Sequence, residues 1–339
     1  MENIVLADCE IAEVESLVNE LKFNNNGFVV KSHIANGKRT GKLSELKRYL
    51  KYFAVALKYF ISRKKYSAIV GWQQFYALIF VFYCSLFKVK KRNMVVALNY
   101  TYKAKKGRFA KLYRKFMQIC MSPQYLDYLH VLSDQYADII SREFNFPRQR
   151  IIATHFGVND CDYSHLPVPD GFKKDGYALA IGRSNRDYDF LINAWQGIDY
   201  PLVIISDTYC GKIPENSNIT HLTDVVGEAS YNWIAHCGLM IIPIDDGNIC
   251  SGDTVLLNAM ALKRKIIVTS PSTLAQMYVT DKKDALLTVK DNAVFKETVL
   301  SALNDFNDIG ENARQTFLEK FSRSIMGNKI NQFINKRVL

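Results

Sequence analysis

Two stretches of the 339-residue chain bring together side chains that suit an anionic ligand. In "IGRSNRDYDFLINAW", residues 181–195, an apolar run ends in a glycine, Arg183 and Arg186 follow, and a helix-period segment begins. Two guanidinium groups beside a helix N-terminus can hold a diphosphate, because each fork binds oxygens bidentately and the helix end favours negative charge. The same arginines can instead be solvated turn residues paired with Asp187 and Asp189. In "DDGNICSGDTVLLNAMA", residues 245–261, Ser251, Asp253 and Thr254 are candidate helix caps, and Gly252 lets a ligand approach the backbone closely. The amides behind them would grip a phosphate or a sugar hydroxyl, although plain capping needs the same residues.

Both stretches need a strand before them and a helix after them, and the chain alternates the two from end to end. In the first half "NIVLA", "GFVVKSH", "SAIVGW", "NMVVALNY", "YLHVLS" and "RIIATHFG" read as strands, several apolar throughout, as in a parallel sheet covered on both faces. Helices are expected near 10–23, 43–65, 73–87, 106–120 and 134–145. After a stretch rich in Asp, Gly and Pro the pattern restarts with "YALAIG", "PLVIIS", "NITHL", "GLMIIPI", "KIIVTS" and "ALLTV", and with helices near 188–196, 228–237, 253–263, 273–279 and 292–305. The expected fold is α/β: two doubly wound, Rossmann-like parallel-sheet domains facing a cleft. Residues 1–157 form the first domain, 158–176 a linker, 177–308 the second domain, and 309–339 a helical tail returning towards the first.

Charge divides the chain more sharply than length does. Residues 1–150 hold 26 Lys and Arg against 11 Asp and Glu, whereas the remainder holds 18 against 22. A basic first half points to an anionic partner: a membrane surface, a phosphorylated substrate or nucleic acid. No nucleic-acid reader motif accompanies the charge, which argues against the last. The seven cysteines are scattered and never form C-x-x-C, so neither a disulfide framework nor a zinc site is indicated, and a reducing compartment follows. "MENIVLADCE" lacks the basic, apolar pattern of an export signal. The run from Phe75 to Phe87 is shorter than the roughly 20 residues a spanning helix needs.

Two basic segments of the first half also carry aromatics. In residues 43–65 a helix would place Lys47, Lys51 and Lys58 along one stripe and Leu46, Leu50, Phe53, Leu57 and Phe60 along another. Residues 100–115 add Lys103, Lys105, Lys106, Arg108, Lys111, Arg114 and Lys115 among Tyr102, Phe109 and Tyr113. Cations interleaved with aromatic rings suit the headgroup region of an anionic leaflet.

At this level of detail the second half resembles the donor-binding domain of GT-B nucleotide-sugar glycosyltransferases, in the group bearing a Glu-x7-Glu signature. "VLSDQYADII", "RIIATHFGVND", "ALAIGRSNRDYDFLINAW", "GLMIIPI" and "SGDTVLLNAMALKRKIIVTS" follow the family's order over about residues 130–305. The resemblance implies that Arg183 neutralises the donor diphosphate and that Arg186 stands where the family has a lysine. It puts Asn258 at the second glutamate, which holds the ribose hydroxyls, and Cys250 at the first. Ser251, Gly252, Asp253 and Thr254 then fill the turn facing sugar and phosphates. The first half departs from the retaining members: "LADCEIAEVE" has no glycine-rich loop, and Asn99 and Tyr100 replace a histidine. For an inverting reaction Asp8 is the carboxylate best placed by topology to act as general base, its other reading being a cap on the next helix. The pairs Asp187/Asp189 and Asp160/Asp162 match the Asp-x-Asp of GT-A metal sites, but one enters a helix and one lies in the linker, so no metal is expected.

What the resemblance implies is metal-independent sugar transfer, without cofactor, from a nucleotide-sugar donor, a UDP-sugar, to a lipid-linked glycan acceptor. The setting implied is surface polysaccharide biosynthesis on the cytoplasmic face of the cell membrane, with Lys47, Lys51, Lys58, Lys103, Lys105, Lys106, Arg108 and Lys111 towards acceptor and leaflet. Two alternatives remain open: a sugar-nucleotide epimerase of the same fold, and a membrane-bound accessory subunit whose donor site has decayed.

Overall fold

A computed structural model describes residues 1–34, 42–163, 165–225, 227–306 and 308–336. The chain divides into two compact units, Met1–Asn159 with Arg323–Leu339, and Asp160–Ser322. The stretch expected as a linker thus belongs from Asp160 onward to the second unit, and ion pairs hold it there. Arg314 Nη2 lies 3.0 Å from Asp160 Oδ2, and Arg264 Nη1 lies 2.7 Å from Asp175 Oδ1. Of the expected tail, the helix Ile309–Lys320 belongs to the second unit and the helix Arg323–Asn335 to the first.

The first unit is built on β1 (Glu2–Ala7), β2 (Val29–Ser32), β3 (Tyr66–Gly71), β4 (Met94–Ala97), β5 (Tyr128–Val131) and β6 (Ile151–Ala153). All neighbours pair in parallel, in the order β2-β1-β3-β4-β5-β6. Alternation assigns the faces. Ile4, Leu6, Ile69, Val95 and Leu129 point to one side, under α2 (Lys42–Ile61), α3 (Gln74–Leu86), α4 (Ala110–Cys120) and α5 (Asp134–Phe144). Val5, Ala7, Ala68, Val70 and Val96 point to the other, under α1 (Ile11–Glu20) and the C-terminal helix. Gly327 lets the C-terminal helix approach α1 closely, since a Cβ there would come within 2.6 Å of Leu17 O.

One feature of this unit differs from the sequence expectation. Helix α4 begins at Ala110 rather than near 106, because Gly107 takes φ 86° and breaks the turn. Helix α2 buries Tyr52, Val55, Ala56, Tyr59 and Phe60, while Leu46, Leu50 and Leu57 are exposed. The tyrosines go inside because their hydroxyls find partners there, Tyr52 with Asp8 at 3.4 Å and Tyr59 with His33 at 2.8 Å. The apolar run after Phe75 is α3, buried from Tyr76 to Val81. Among the described residues no helix is long and apolar enough to cross a membrane.

The second unit carries β7 (Ala178–Ile181), β8 (Leu202–Ile205), β9 (Ile219–Leu222), β10 (Leu239–Ile242), β11 (Lys265–Thr269) and β12 (Leu286–Thr288), parallel in the order β9-β8-β7-β10-β11-β12. Its helices are α6 (Tyr188–Ala194), α7 (Tyr231–His236), α8 (Asp253–Ala261), α9 (Thr273–Tyr278), α10 (Asn292–Asn304) and α11 (Ile309–Lys320), and α12 is Arg323–Asn335. This strand order is that of a dinucleotide-binding sheet, which reverses direction between β7 and β10. In the first unit the reversal falls between β1 and β3. Open α/β sheets bind ligands beyond the carboxyl ends of the strands at such points.

His130 on β5 is fully buried, and burial lowers its pKa to about 3. The neutral ring is held by a one-way chain: the Asn99 amide donates to Nδ1 at 3.1 Å, Nε2 lies 2.8 Å from Thr154 Oγ1, and that hydroxyl donates to His155 O at 2.9 Å. Its stabilising contribution is therefore present above the unfolded value near 6.5 and lost as pH falls towards 3. Between pH 7 and pH 5 this residue should remove about 2 kcal/mol of unfolding free energy. Urea unfolding of the protein and of His130→Gln at both pH values should show that loss in the former and not in the latter.

Candidate functional site

In the second unit the loops after β7 and β10 meet beyond the strand reversal. Arg186 forms a backbone bridge with Ile244, and the Asp187 amide donates to Pro243 O at 2.9 Å. The Arg186 guanidinium lies between two glycines: a Cβ on Gly182 would stand 2.8 Å from its Nε, and one on Gly252 2.6 Å from its Nη2. Both glycines have positive φ, 152° and 100°. Nη1 donates to the carbonyls of Ser184 and Asn185 at 3.0 and 3.3 Å, and Nε is buried without a partner. Burial weakens the hold of this guanidinium on its proton, opposed by Tyr188 and then Asp253. A half-buried cation with a buried, unsatisfied Nε–H is stabilised by an anion.

Helix α8 begins beside it. Gly252 is the N-cap, in the left-handed region, with no side-chain cap hydrogen bond. This corrects the expectation that Ser251, Asp253 or Thr254 caps the helix. Ser251 Oγ instead donates to Ser184 O at 3.2 Å, and Asp253 sits in the first turn, accepting from the Thr254 amide at 2.8 Å. A cap with positive φ is what glycine supplies, and its lack of a side chain leaves room for Arg186. Burial raises the Asp253 pKa, against the Thr254 amide and Arg186. Asn258 is buried one turn further along α8, 7% exposed, and Cys250 before the turn is exposed.

Arg183 is exposed and bonds Asp207 Oδ1 at 2.7 Å through Nε. The arginines therefore do not pair with Asp187 and Asp189. Asp187 caps α6 by accepting from the Phe190 amide at 3.0 Å and pairs with Lys290 at 2.7 Å, and Asp189 accepts from Tyr209 Oη at 2.7 Å. Asp160, of the other Asp-x-Asp, pairs with Arg314.

Sequence reasoning missed the residue that joins the two loops. Asn185, with φ 56°, donates through Nδ2 to Asp246 O at 3.0 Å and to Ile249 O at 3.3 Å, and its Oδ1 accepts from the Asp246 amide at 2.7 Å. The visible signal was an asparagine two residues after "GR", the residue type that tolerates a left-handed backbone and bonds nearby main chain. Lys290 adds a bond to Asp245 O at 2.8 Å, and nothing in its local sequence indicates this.

In the first unit Asp8 lies at the end of β1, buried, with Oδ2 accepting from Gln73 Nε2 at 3.0 Å and from Tyr52 Oη at 3.4 Å. It does not cap α1, whose N-cap is Glu10 in a reciprocal box with Glu13. Burial first, then the charge of Asp8, pushes the Tyr52 pKa well above its ordinary value, so the phenol stays a donor. Asn99 takes φ 53° at the end of β4, its Oδ1 buried without a partner, and Tyr100 is fully buried. Lys47, Lys51, Lys58, Lys103, Lys105, Lys106, Arg108 and Lys111 are all exposed. All seven cysteines are free thiols.

No protein-family model and no curated protein matches the chain. Solved structures do. A glycosyltransferase from Rickettsia africae is similar over 99% of both chains, with a TM-score of 0.65 at 13% identity. Anabaena HepE in complex with UDP-glucose gives 0.64 at 10% identity over 99% of both chains. WaaG, a glycosyltransferase involved in lipopolysaccharide biosynthesis, gives 0.62 at 13% identity, over 98% of this chain and 99% of its own. The chain thus has the two-domain α/β fold of GT-B glycosyltransferases.

Since Asn185 both occupies a left-handed backbone position and ties the loops, its two roles are separable. Asn185→Ala should lose about 2 kcal/mol of stability in urea unfolding, from strain and lost hydrogen bonds. Asn185→Gly should recover the strain component alone.

Proposed function

We propose that the protein is a glycosyltransferase that takes a nucleotide diphosphate sugar, a UDP-sugar, as donor and needs neither metal nor organic cofactor. The observation that carries this is the half-buried Arg186 guanidinium, set between Gly182 and Gly252 at the start of α8 with its buried Nε unpaired. A diphosphate there would receive Nε–H and the first amides of α8, and the positive end of that helix adds to the attraction. Arg183, on the same loop and exposed, exchanges Asp207 for a phosphate oxygen when donor arrives. Asn258 offers an amide to the ribose hydroxyls, without the charge assistance of a carboxylate. The fold it shares with HepE, which was solved with UDP-glucose, supports this reading.

The acceptor in this reading is a lipid-linked glycan taken by the first unit, in surface polysaccharide biosynthesis at the cytoplasmic face of the membrane. The exposed cations of α2 and of residues 103–111 meet the anionic leaflet and the acceptor phosphates. Asp8, at the strand reversal of that unit, takes the proton of the acceptor hydroxyl as general base while Gln73 and Tyr52 fix its orientation. The epimerase alternative leaves this basic face without a role.

Two measurements test the assignment. Arg186→Ala should weaken UDP binding at least about 10-fold by calorimetry, and Arg183→Ala less, because its charge is already paired with Asp207. Unchanged affinity in both variants overturns the donor site. Asp8→Asn should lower turnover by about 10²-fold or more with UDP affinity intact. An Asp8→Asn protein that transfers sugar normally removes Asp8 from the chemistry.

A further inference from the structure

Helices α2, α3 and α4 leave a groove of about 690 Å³ in the first unit. Helix α3 supplies the floor with Phe75, Ile79 and Phe82, and α2 and α4 supply walls through Phe53 and Phe116. The lining is apolar apart from Tyr49 and Tyr113 and two cations, Lys105 and Lys115, and it includes no acidic residue. Phe109 and Leu112 also line it while 71% and 65% exposed, which is a large apolar exposure for a basic segment. On α2 the exposed Leu46, Leu50, Leu57 and Ile61 run beside the Lys47, Lys51 and Lys58 stripe, as in a helix lying at a lipid surface.

Charge selects among the occupants of such a groove. From Lys42 to Cys120 the chain carries 19 Lys and Arg and a single carboxylate, Glu45. An apolar helix of a protein partner, or a second copy of this surface, would leave that charge uncompensated or repelled. A hydrocarbon chain bearing a phosphate satisfies both halves of the chemistry: the chain fills the apolar floor, and the headgroup meets Lys105 and Lys115.

We infer that this groove binds a single hydrocarbon chain of an anionic phospholipid from the bilayer, so that the first unit holds a lipid tail as well as resting on headgroups. The inference builds on the membrane contact proposed above and gives it a defined site. It is tested with decyl and dodecyl phosphate below their micelle-forming concentrations, titrated into the full-length protein, and with vesicles of phosphatidylglycerol. Alkyl phosphates should bind the groove with one-to-one stoichiometry and gain about four-fold in affinity per added methylene, and inorganic phosphate should not displace them. The double substitution Phe109→Asp/Leu112→Asp, at exposed positions, should lose at least 10-fold of that affinity and keep UDP affinity unchanged. Affinity independent of chain length, or an undiminished affinity in the double variant, overturns the groove as a chain site. A wild-type dimer that the double variant abolishes also overturns it, in favour of a second copy as the occupant.

The wider membrane reading can fail separately. Salt-sensitive sedimentation with phosphatidylglycerol vesicles that the double variant retains in full leaves the surface contact and removes the groove. Alkyl phosphate binding without any vesicle binding leaves an apolar chain site but overturns a bilayer phospholipid as its occupant, together with the surface contact.

Discussion

One guanidinium sets the geometry of the loops after β7 and β10 in the second unit. Arg186 can lie where it does only because Gly182 and Gly252 on its two sides have no side chains, and both adopt positive φ. A large residue at either position would displace the guanidinium. The surrounding contacts converge on keeping this cation in place: a backbone bridge from Arg186 to Ile244, the Asn185 bonds to the following loop, and Lys290 tying Asp187 to Asp245. A partly buried charge is costly, and the fold accepts it at a strand reversal, where open α/β sheets receive ligands.

The two units apply this architecture to different ends. In the second, strand order puts a glycine turn and a helix start on opposite sides of the reversal, and both present positive potential. In the first, the reversal lies between β1 and β3, and a carboxylate, an amide and a phenol gather there. The basic residues of the first unit are instead spread over its exposed helices and the segment before α4. The carboxylate of that cluster is thus buried, while the cations of the exposed helices are solvated.

Most of the framework was legible in the sequence because parallel strands buried on both faces are uniformly apolar, as in "MVVA" and "LVII", and helices between them have a different period. Every strand of the two six-stranded sheets overlaps a segment expected as a strand, the edge strands "VVKS" and "ITHL" included. Helix orientation was less legible. For α2, hydrophobicity favours the leucine stripe, but tyrosines that find hydroxyl partners inside bury better, and that depends on Asp8 and His33 elsewhere in the chain. The candidate site was legible as residue types, with Arg183, Arg186 and Gly252 on converging loops. Its connections were not: Asp207 on Arg183, Lys290 on Asp187 and Gln73 on Asp8 are long-range pairings that no local pattern encodes. The N-cap was misread because Ser, Asp and Thr are better caps than glycine in general, whereas here the left-handed backbone and the neighbouring guanidinium decide.

The C-terminal helix α12 covers the face of the first sheet that carries Val5, Ala7, Ala68, Val70 and Val96, and Arg323 at its start donates to Gly157 O at 3.1 Å and stacks over Trp72 and Phe156. During synthesis the part of that face under α12 stays open until residues 323–335 leave the ribosome, after the whole of the second unit has been made. At typical elongation rates this is a delay of roughly ten to thirty seconds. At the end of that interval the second unit is complete and the first still lacks α12, so the nascent chain holds a half-covered parallel sheet. The order of maturation thus runs opposite to the order of translation.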